Sequence, residues 1–150
     1  MGTMEEDLKN LSAVSSRLGA ATDALDETVA GLEEKLTNAP RVSVWLDVLL
    51  DEEQTEDEKG RQVREGYRLG YAKVQSGAWR IAVKRSRQEF DRHGDAAPFI
   101  DTDHPTALAS APREVRAEAA PHIEDVVQAL SLRAAELLEG VERANEVVGT

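Results

Sequence analysis

Apolar residues near the N-terminus recur at alternating spacings of four and three, beginning at Met4. This spacing puts them on one face of an α-helix and is typical of a heptad seam. Thr3 and Glu6 have the spacing of a capping box, and Pro40 cannot continue the helix. We therefore predict a helix over residues 3–38. The leucines at the d positions of its seam are Leu11, Leu18, Leu25 and Leu32.

The side chains in the middle of this helix are polar or small. Ser15 and Thr22 occupy two central a positions, and small residues surround them at Gly19 and Ala20. Small side chains let a second helix approach closely, so we expect another helix to cross here. The seam itself has two equally weighted interpretations, packing on a partner helix and packing on the chain's own sheet.

A second heptad seam lies near the C-terminus. Residues 112–148 are predicted to be helical, with a break near position 121 because Pro121 either kinks the helix or starts a new one. At 1.5 Å per residue the two helices would be roughly 50 and 40 Å long, longer than a small sheet of about 25 Å. They must pack on each other, on a second copy, or both. The residues of this seam are Ile123, Leu130, Leu137 and Val141.

Between the helices, the apolar pattern changes to a period of two, which predicts strands over residues 42–50, 63–74 and 79–87. The segment between the first two strands, 51–60, has six acids and no apolar residue, so we expect a solvated loop. Residues 89–112 have no period and contain three prolines, which predicts a long loop. The predicted fold class is α+β, with two long heptad-patterned helices flanking a three-stranded antiparallel β-meander.

Ser76 and Gly77 are predicted to form a two-residue hairpin turn, which would place Val74 opposite Trp79. Gly66 and Gly70 would then leave room for Trp79 or for a helix. In this register, apolar rings alternate with cations on the face turned away from the helices, and we call this predicted surface the aromatic–basic face. Its residues are Tyr67, Leu69, Tyr71, Lys73, Arg80 and Lys84.

Composition agrees with one mainly helical domain over residues 1–150, because 41% of the residues are apolar and only 4% are aromatic. There is no cysteine, which excludes disulfides and thiolate chemistry. The first 30 residues lack the pattern of a signal peptide, and no apolar stretch approaches the length of a membrane span. We expect a cytoplasmic protein with no membrane partner.

The net charge of −11 is unevenly distributed. Residues 1–60 have 15 acids and 5 bases, residues 61–95 have 4 and 9, and residues 96–150 have 10 and 4. An acidic protein repels nucleic acid at long range, so phosphate binding would depend on the basic middle segment.

No pattern of catalytic residues emerges. His93, His104 and His122 do not have the spacing that places two imidazoles on one helical face, so we predict no metal site. GxSxG, GxGxxG and P-loop motifs are absent from the sequence. We expect no catalytic residue, no cofactor and no enzyme activity.

The favoured function is protein–protein interaction or assembly, through a homodimer in which the seams form a helical bundle. A single-stranded nucleic-acid-binding module that uses the aromatic–basic face is the first alternative. A small regulatory or immunity-type partner of a basic protein is the second. The pattern leaves open whether the helices are parallel or antiparallel, and whether their seams pair within or between chains.

Overall fold

An N-terminal helix, an antiparallel sheet and a C-terminal helix follow one another in the computed structural model, which describes residues 2–149. Met1 and Thr150, the ends of the predicted domain, lie outside the described residues. The helices are α1 (Thr3–Lys35), α2 (Arg113–Ala119) and α3 (Ile123–Val148). The strands are β1 (Val44–Glu56), β2 (Gln62–Lys73), β3 (Trp79–Glu89), β4 (Ile100–Asp101) and β5 (Thr106–Ala107).

The sheet is an antiparallel meander of β1, β2 and β3 that two short strands extend. β4 and β5 both pair with the outer edge of β3, through Ser86 opposite Asp101 and Ala82 opposite Ala107. The segment predicted as a loop over 89–112 therefore contributes two strands, followed by a turn of 3-10 helix at Leu108–Ser110. A second 3-10 turn, Ala120–His122, joins α2 to α3 at the predicted break.

The acidic segment after position 50 was predicted as a loop, and this prediction is wrong. β1 continues to Glu56 because β2 supplies backbone partners, with Glu53 opposite Glu65 and Thr55 opposite Val63. Two irregularities interrupt the pairing, and Asp51 at the second has a φ of 50°. β1 is an edge strand, and its exposed acids discourage a second sheet from pairing with it.

The hairpin register was also predicted wrongly, by one residue. Trp79 lies opposite Lys73 instead of Val74, because the turn contains three residues, Gln75 to Gly77. A type I′ turn would need positive φ at both central residues, but of these two only Gly77, at 88°, has it. The longer turn shifts every cross-strand pair by one residue and so changes which residues share a face.

α1 begins differently from the prediction. Gly2 is at the N-cap position, no side chain caps the helix, and the amide of Glu6 donates to the carbonyl of Gly2 at 2.9 Å. Thr3 therefore lies inside the helix, and the predicted capping box does not form. The helix ends at Lys35, three residues before the predicted end.

The core lies between the sheet and the helices. Leu69, Tyr71, Ile81 and Val83 of the sheet belong to one buried cluster with residues of all three helices. On the opposite face, glycines make room for large side chains of β1: Gly66 lies against Leu49, and Gly70 against Trp45. The prediction that these glycines accommodate Trp79 or a helix is therefore wrong. The helix residues of the cluster are Val29, Val115, Ala119, Val126 and Leu130.

Candidate functional site

The seam of α1 is buried along only half of its length. Every residue from Gly2 to Leu18 is exposed, whereas Thr22 and Val29 are buried and Leu25 and Leu32 are half-buried. The change occurs where the helix reaches the sheet and α2. One continuous apolar face thus packs in its C-terminal half and remains open in its N-terminal half.

The seam of α3 divides in the opposite order. Leu130 is buried at 3% exposure, Ile123 and Leu137 are half-buried, and Val141 is 58% exposed. All residues from Leu138 to Gly149 are exposed. Each long helix therefore has a packed half next to the sheet and an exposed half, at the N-terminus of α1 and the C-terminus of α3.

These two exposed halves, which we call the helix ends, are Thr3–Leu18 of α1 and Leu132–Val148 of α3. Among residues 2–149, ten of the twelve large apolar side chains that are exposed belong to them. Such a concentration is unusual for a monomer surface and is typical of an interaction site. The ten residues are Met4, Leu8, Leu11, Val14, Leu18, Leu132, Leu138, Val141, Val147 and Val148.

α2 packs against the middle of α1, where the side chains are small. The Arg113 guanidinium carbon lies 3.7 Å from the position that a Cβ would take at Gly19, and Arg116 pairs with Asp26 at 2.5 Å. Thr22 is buried, but its hydroxyl donates to its own helix, at 2.9 Å to the Leu18 carbonyl. α2 is therefore the helix that contacts the middle of α1, and it does so here through the long side chains of Arg113 and Arg116.

The two long helices do not form a bundle within the chain. In the part of the chain that the structure describes, α1 packs mainly against α2 and β3, and α3 packs mainly against β1 and β2. The sheet and α2 cover the inner half of each seam. Within residues 2–149, no extended contact between α1 and α3 covers the helix ends.

The predicted aromatic–basic face is divided between the two sides of the sheet. Tyr67, Leu69 and Tyr71 are on the side that packs against the helices, because Tyr71 lies opposite Ile81 and Leu69 opposite Val83. Leu69 is 0% and Tyr71 3% exposed. The one-residue error in the predicted register is the reason that these side chains were placed outside.

The cations of that predicted face are separated from its rings. Arg80 and Lys84 lie on the other side of the sheet, whereas Lys73 is an exposed residue at the hairpin end of β2. Arg80 pairs with Glu33 of α1 at 2.7 Å. Lys84 pairs with Asp101 at 2.9 Å, and its ammonium lies 4.1 Å from the centre of the Trp45 ring. The structure therefore does not assemble these six residues into one surface.

The basic middle of the chain is largely neutralised by ion pairs. Of its nine cations, all except Lys73 and Arg92 lie within 4 Å of a carboxylate that belongs to residues 2–149. Arg85 and Arg87 both approach Glu65, at 3.7 and 3.6 Å. A phosphate backbone would have to compete with these internal carboxylates, which disfavours the nucleic-acid alternative.

Tyr71 is the buried titratable group of the core. Its ring lies 5.7 Å from that of Trp79, and the Glu33 carboxylate is nearby. Burial raises the pKa of the Tyr71 hydroxyl above its ordinary value, and the negative charge of Glu33 raises it further, against a weaker effect of Arg41. A neutral phenol in this position suits a core residue.

The histidines form no common site. His93 and His104 are exposed, and His122 lies 3.3 Å from Asp125 within the same helical region. Among residues 2–149, no three His, Asp or Glu side chains converge in a way that could hold a metal ion. None of the helices in this range is both long enough and apolar enough to cross a membrane.

Sequence reasoning missed a cavity at the end of the sheet that holds the β1–β2 turn. The turns Asp57–Arg61 and Asp91–Asp95 have the same hydrogen bonds as the Val74–Ala78 turn, each with a glycine of positive φ in fourth place. The repeated Asp-x-x-Gly was the available signal. We call this cavity, of about 530 Å³, the hairpin-end cavity.

Known proteins give no further guide to this site. No protein-family model, no curated protein and no solved structure matches the chain.

Proposed function

We propose that this protein is a non-enzymatic assembly protein that associates with a second copy of itself through its helix ends. The observation that carries the proposal is the division of both seams. The same apolar face that packs on the sheet in its inner half continues, exposed, into its outer half. An apolar seam that extends beyond the sheet and α2 is best explained by a second molecule that covers the rest of it.

The exposed apolar area is large enough for a stable interface. Ten large side chains on the helix ends are between 39% and 85% exposed. The five on α1 continue its packed seam, as do Val141 and Val148 on α3, and these seven present roughly 700 Å² per chain, compared with about 800 Å² per partner in a typical stable complex.

A second copy is the occupant that fits best. Each chain offers two exposed seams of the same kind, and a twofold interface brings the same surface of both copies together, so a seam buried on one chain is also buried on the other. Charge does not oppose this pairing. The α1 end has three acids and two bases and the α3 end has four and two, although the whole chain is at −11. Mixed charges beside an apolar seam are usual in helical bundles.

The mass of the protein in solution tests this proposal. The chain has a mass of 16.4 kDa, and we expect light scattering to give twice this value. Changing Leu8 and Leu11 to Gln, or Leu138 and Val141 to Gln, should produce a monomer, because these exposed side chains would form the interface. Glutamine keeps the helix propensity and adds no charge.

The matched control changes Val48 and Ile100 to Gln, since both are exposed large apolar residues away from the helix ends. This variant should remain a dimer. A wild-type monomer at about 100 µM, a concentration at which even weak dimers form, would overturn the proposal. Dimeric helix-end variants would overturn it as well.

A further inference from the structure

The hairpin-end cavity is formed where two turns lie side by side. β2 begins beside the end of β3, and the Phe90 amide donates to the Gln62 carbonyl at 3.0 Å, which brings the Asp57–Arg61 turn next to the Asp91–Asp95 turn. The cavity of about 530 Å³ is within the range of roughly 300–1,000 Å³ that is usual for small-molecule sites.

The carboxylates of the two turns are engaged by the turns themselves. Asp57 accepts from the amides of Lys59 and Arg61 at 2.9 and 2.8 Å. Asp91 accepts from the amides of His93 and Asp95 in the same way, at 2.8 and 2.9 Å. The hydrogen bond from the Arg61 amide is the main cause that lowers the pKa of Asp57. Both turns are therefore held in shape by acids whose oxygen atoms bind backbone.

Cations dominate the wall of the cavity in this acidic protein. Lys59, Arg61, Arg64 and Arg92 line it, together with a single acid, Asp91. Arg61 pairs with Asp57 and Arg64 with Glu52. Within residues 2–149, Lys59 and Arg92 have no carboxylate within 4 Å, so their charges are available to a ligand. The cavity is thus suited to an anion.

Phe90 adds a flat apolar surface to the same wall. Its side chain is half-buried, and it lines the hairpin-end cavity and two neighbouring cavities of about 510 and 190 Å³. Gln54 and Gln62 contribute amide groups on the other strands. An aromatic ring beside amides and unpaired cations can stack a planar base, bind its polar edge and hold its phosphate.

From this combination we propose that the hairpin-end cavity binds a nucleotide. Its phosphate lies between Lys59 and Arg92, and its base lies against Phe90. Guanidinium and ammonium groups are the usual protein ligands of phosphate. The same chemistry is offered by a free nucleoside monophosphate and by one nucleotide of a short single strand, and the test separates these sources.

The test is an NMR titration of the full-length protein with AMP, inorganic phosphate, adenosine and a four-residue oligoadenylate. AMP should shift the amides of residues 54–64 and 90–94 in a saturable way by about 10 mM, with weaker binding as salt is added. Inorganic phosphate should bind more weakly at the turns alone, and adenosine most weakly. Tighter binding of the oligoadenylate than of AMP at these residues identifies the single strand as the source, and the reverse identifies the free nucleotide.

Variants connect the binding to the named residues. Lys59→Ala and Arg92→Ala should each weaken AMP binding about tenfold, because a charge-assisted hydrogen bond is lost. Among the described residues, neither Lys59 nor Arg92 has an ion-pair partner whose loss would disturb the turn. Lys73→Ala is the matched control, since Lys73 is an exposed cation at the opposite end of β2 and has no ion pair with any residue from 2 to 149. It should leave AMP affinity unchanged.

Phe90→Leu separates stacking from charge. Leucine keeps the apolar wall but not the ring, so AMP affinity should fall severalfold while phosphate affinity stays the same. Absence of saturable shifts with both AMP and oligoadenylate would overturn the proposal. AMP binding that Lys59→Ala and Arg92→Ala leave unchanged would overturn it too.

Discussion

Gly70 lies directly against the indole of Trp45. A Cβ placed at Gly70 would be 2.6 Å from Cε3 of Trp45 and would also collide with the Val44 carbonyl. The missing side chain in the centre of β2 is therefore what allows Trp45 to lie flat on the sheet, where Lys84 stacks on its ring at 4.1 Å. A side chain of β1 therefore covers part of this face of the sheet.

Gly70→Ala should consequently destabilise the protein by about 2–3 kcal/mol, because the added methyl group overpacks a site bounded by backbone and a rigid ring. Unfolding in urea measures this change. Gly31→Ala is the control, since Gly31 has nothing within 4 Å of its Cβ position and is in a helix. It should stabilise by roughly 0.5–1 kcal/mol. Equal effects of the two substitutions would contradict the packing described for Gly70.

A second prediction concerns the link between α1 and β3. Glu33 accepts from Arg80 Nε at 2.7 Å and from the Ile81 amide at 2.8 Å, and its side chain is only 9% exposed. Glu33→Ala should cost about 2 kcal/mol, because the Ile81 amide would lose its partner inside the protein. Glu34→Ala changes the neighbouring exposed acid and should have almost no effect. If both variants unfold at the same urea concentration, Glu33 does not connect these elements.

The helix ends should be dynamic in a way that depends on protein concentration. An isolated helical segment of this length is only marginally stable in water without tertiary packing. We therefore expect amide hydrogen exchange in residues 4–18 to accelerate on dilution, whereas residues 22–35 keep their protection. Exchange measured by mass spectrometry across a dilution series tests this. Protection of residues 4–18 that is independent of concentration would contradict self-association through this segment.

Tyr71 gives a prediction at high pH. Because its pKa is raised above 10.0 in the folded protein, the folded state keeps the proton where the unfolded state has lost it. This contribution to stability is complete below pH 10 and is lost as the pH rises from there through the folded pKa. The free energy of unfolding should therefore decrease in this window.

Tyr67→Phe leaves Tyr71 as the remaining tyrosine, so its phenolate can be followed by ultraviolet absorbance. The midpoint should lie above that of the same variant in urea. The double variant Glu33→Gln, Tyr67→Phe should titrate at a lower pH than Tyr67→Phe, because one of the two causes of the shift is removed. Identical midpoints in native and unfolded protein would show that Tyr71 is not buried as described.

Much of the fold could be predicted because it depends on local patterns. The four-three spacing located α1 and α3, and the period of two located β1, β2 and β3. The acidic part of β1 could not be found in this way, since Glu and Asp have low β-propensity and only pairing with β2 makes them a strand. In this part of β1, pairing with β2 outweighs the low β-propensity of the acidic residues.

The aromatic–basic face was predicted wrongly because the register of one hairpin was wrong by a single residue. One additional residue in the turn before Trp79 moved Tyr71 from the expected outer face to the core. The hairpin-end cavity was missed for a different reason. Its lining residues come from two turns that are far apart in the chain and from the adjoining ends of β1 and β2, and only the sheet brings Lys59 and Arg92 to the same cavity.

The sequence by itself determined which segments are helices and strands, and that each long helix has one continuous apolar face, because these properties depend on the spacing of neighbouring side chains. The tertiary structure alone decided which half of each seam is buried. The sheet and α2 lie against only the inner halves of α1 and α3, so Val29 and Leu130 are covered while Leu11 and Val141 remain exposed. A periodic pattern shows that a helix has an apolar face. Which elements cover that face, and over what length, depends on the whole fold.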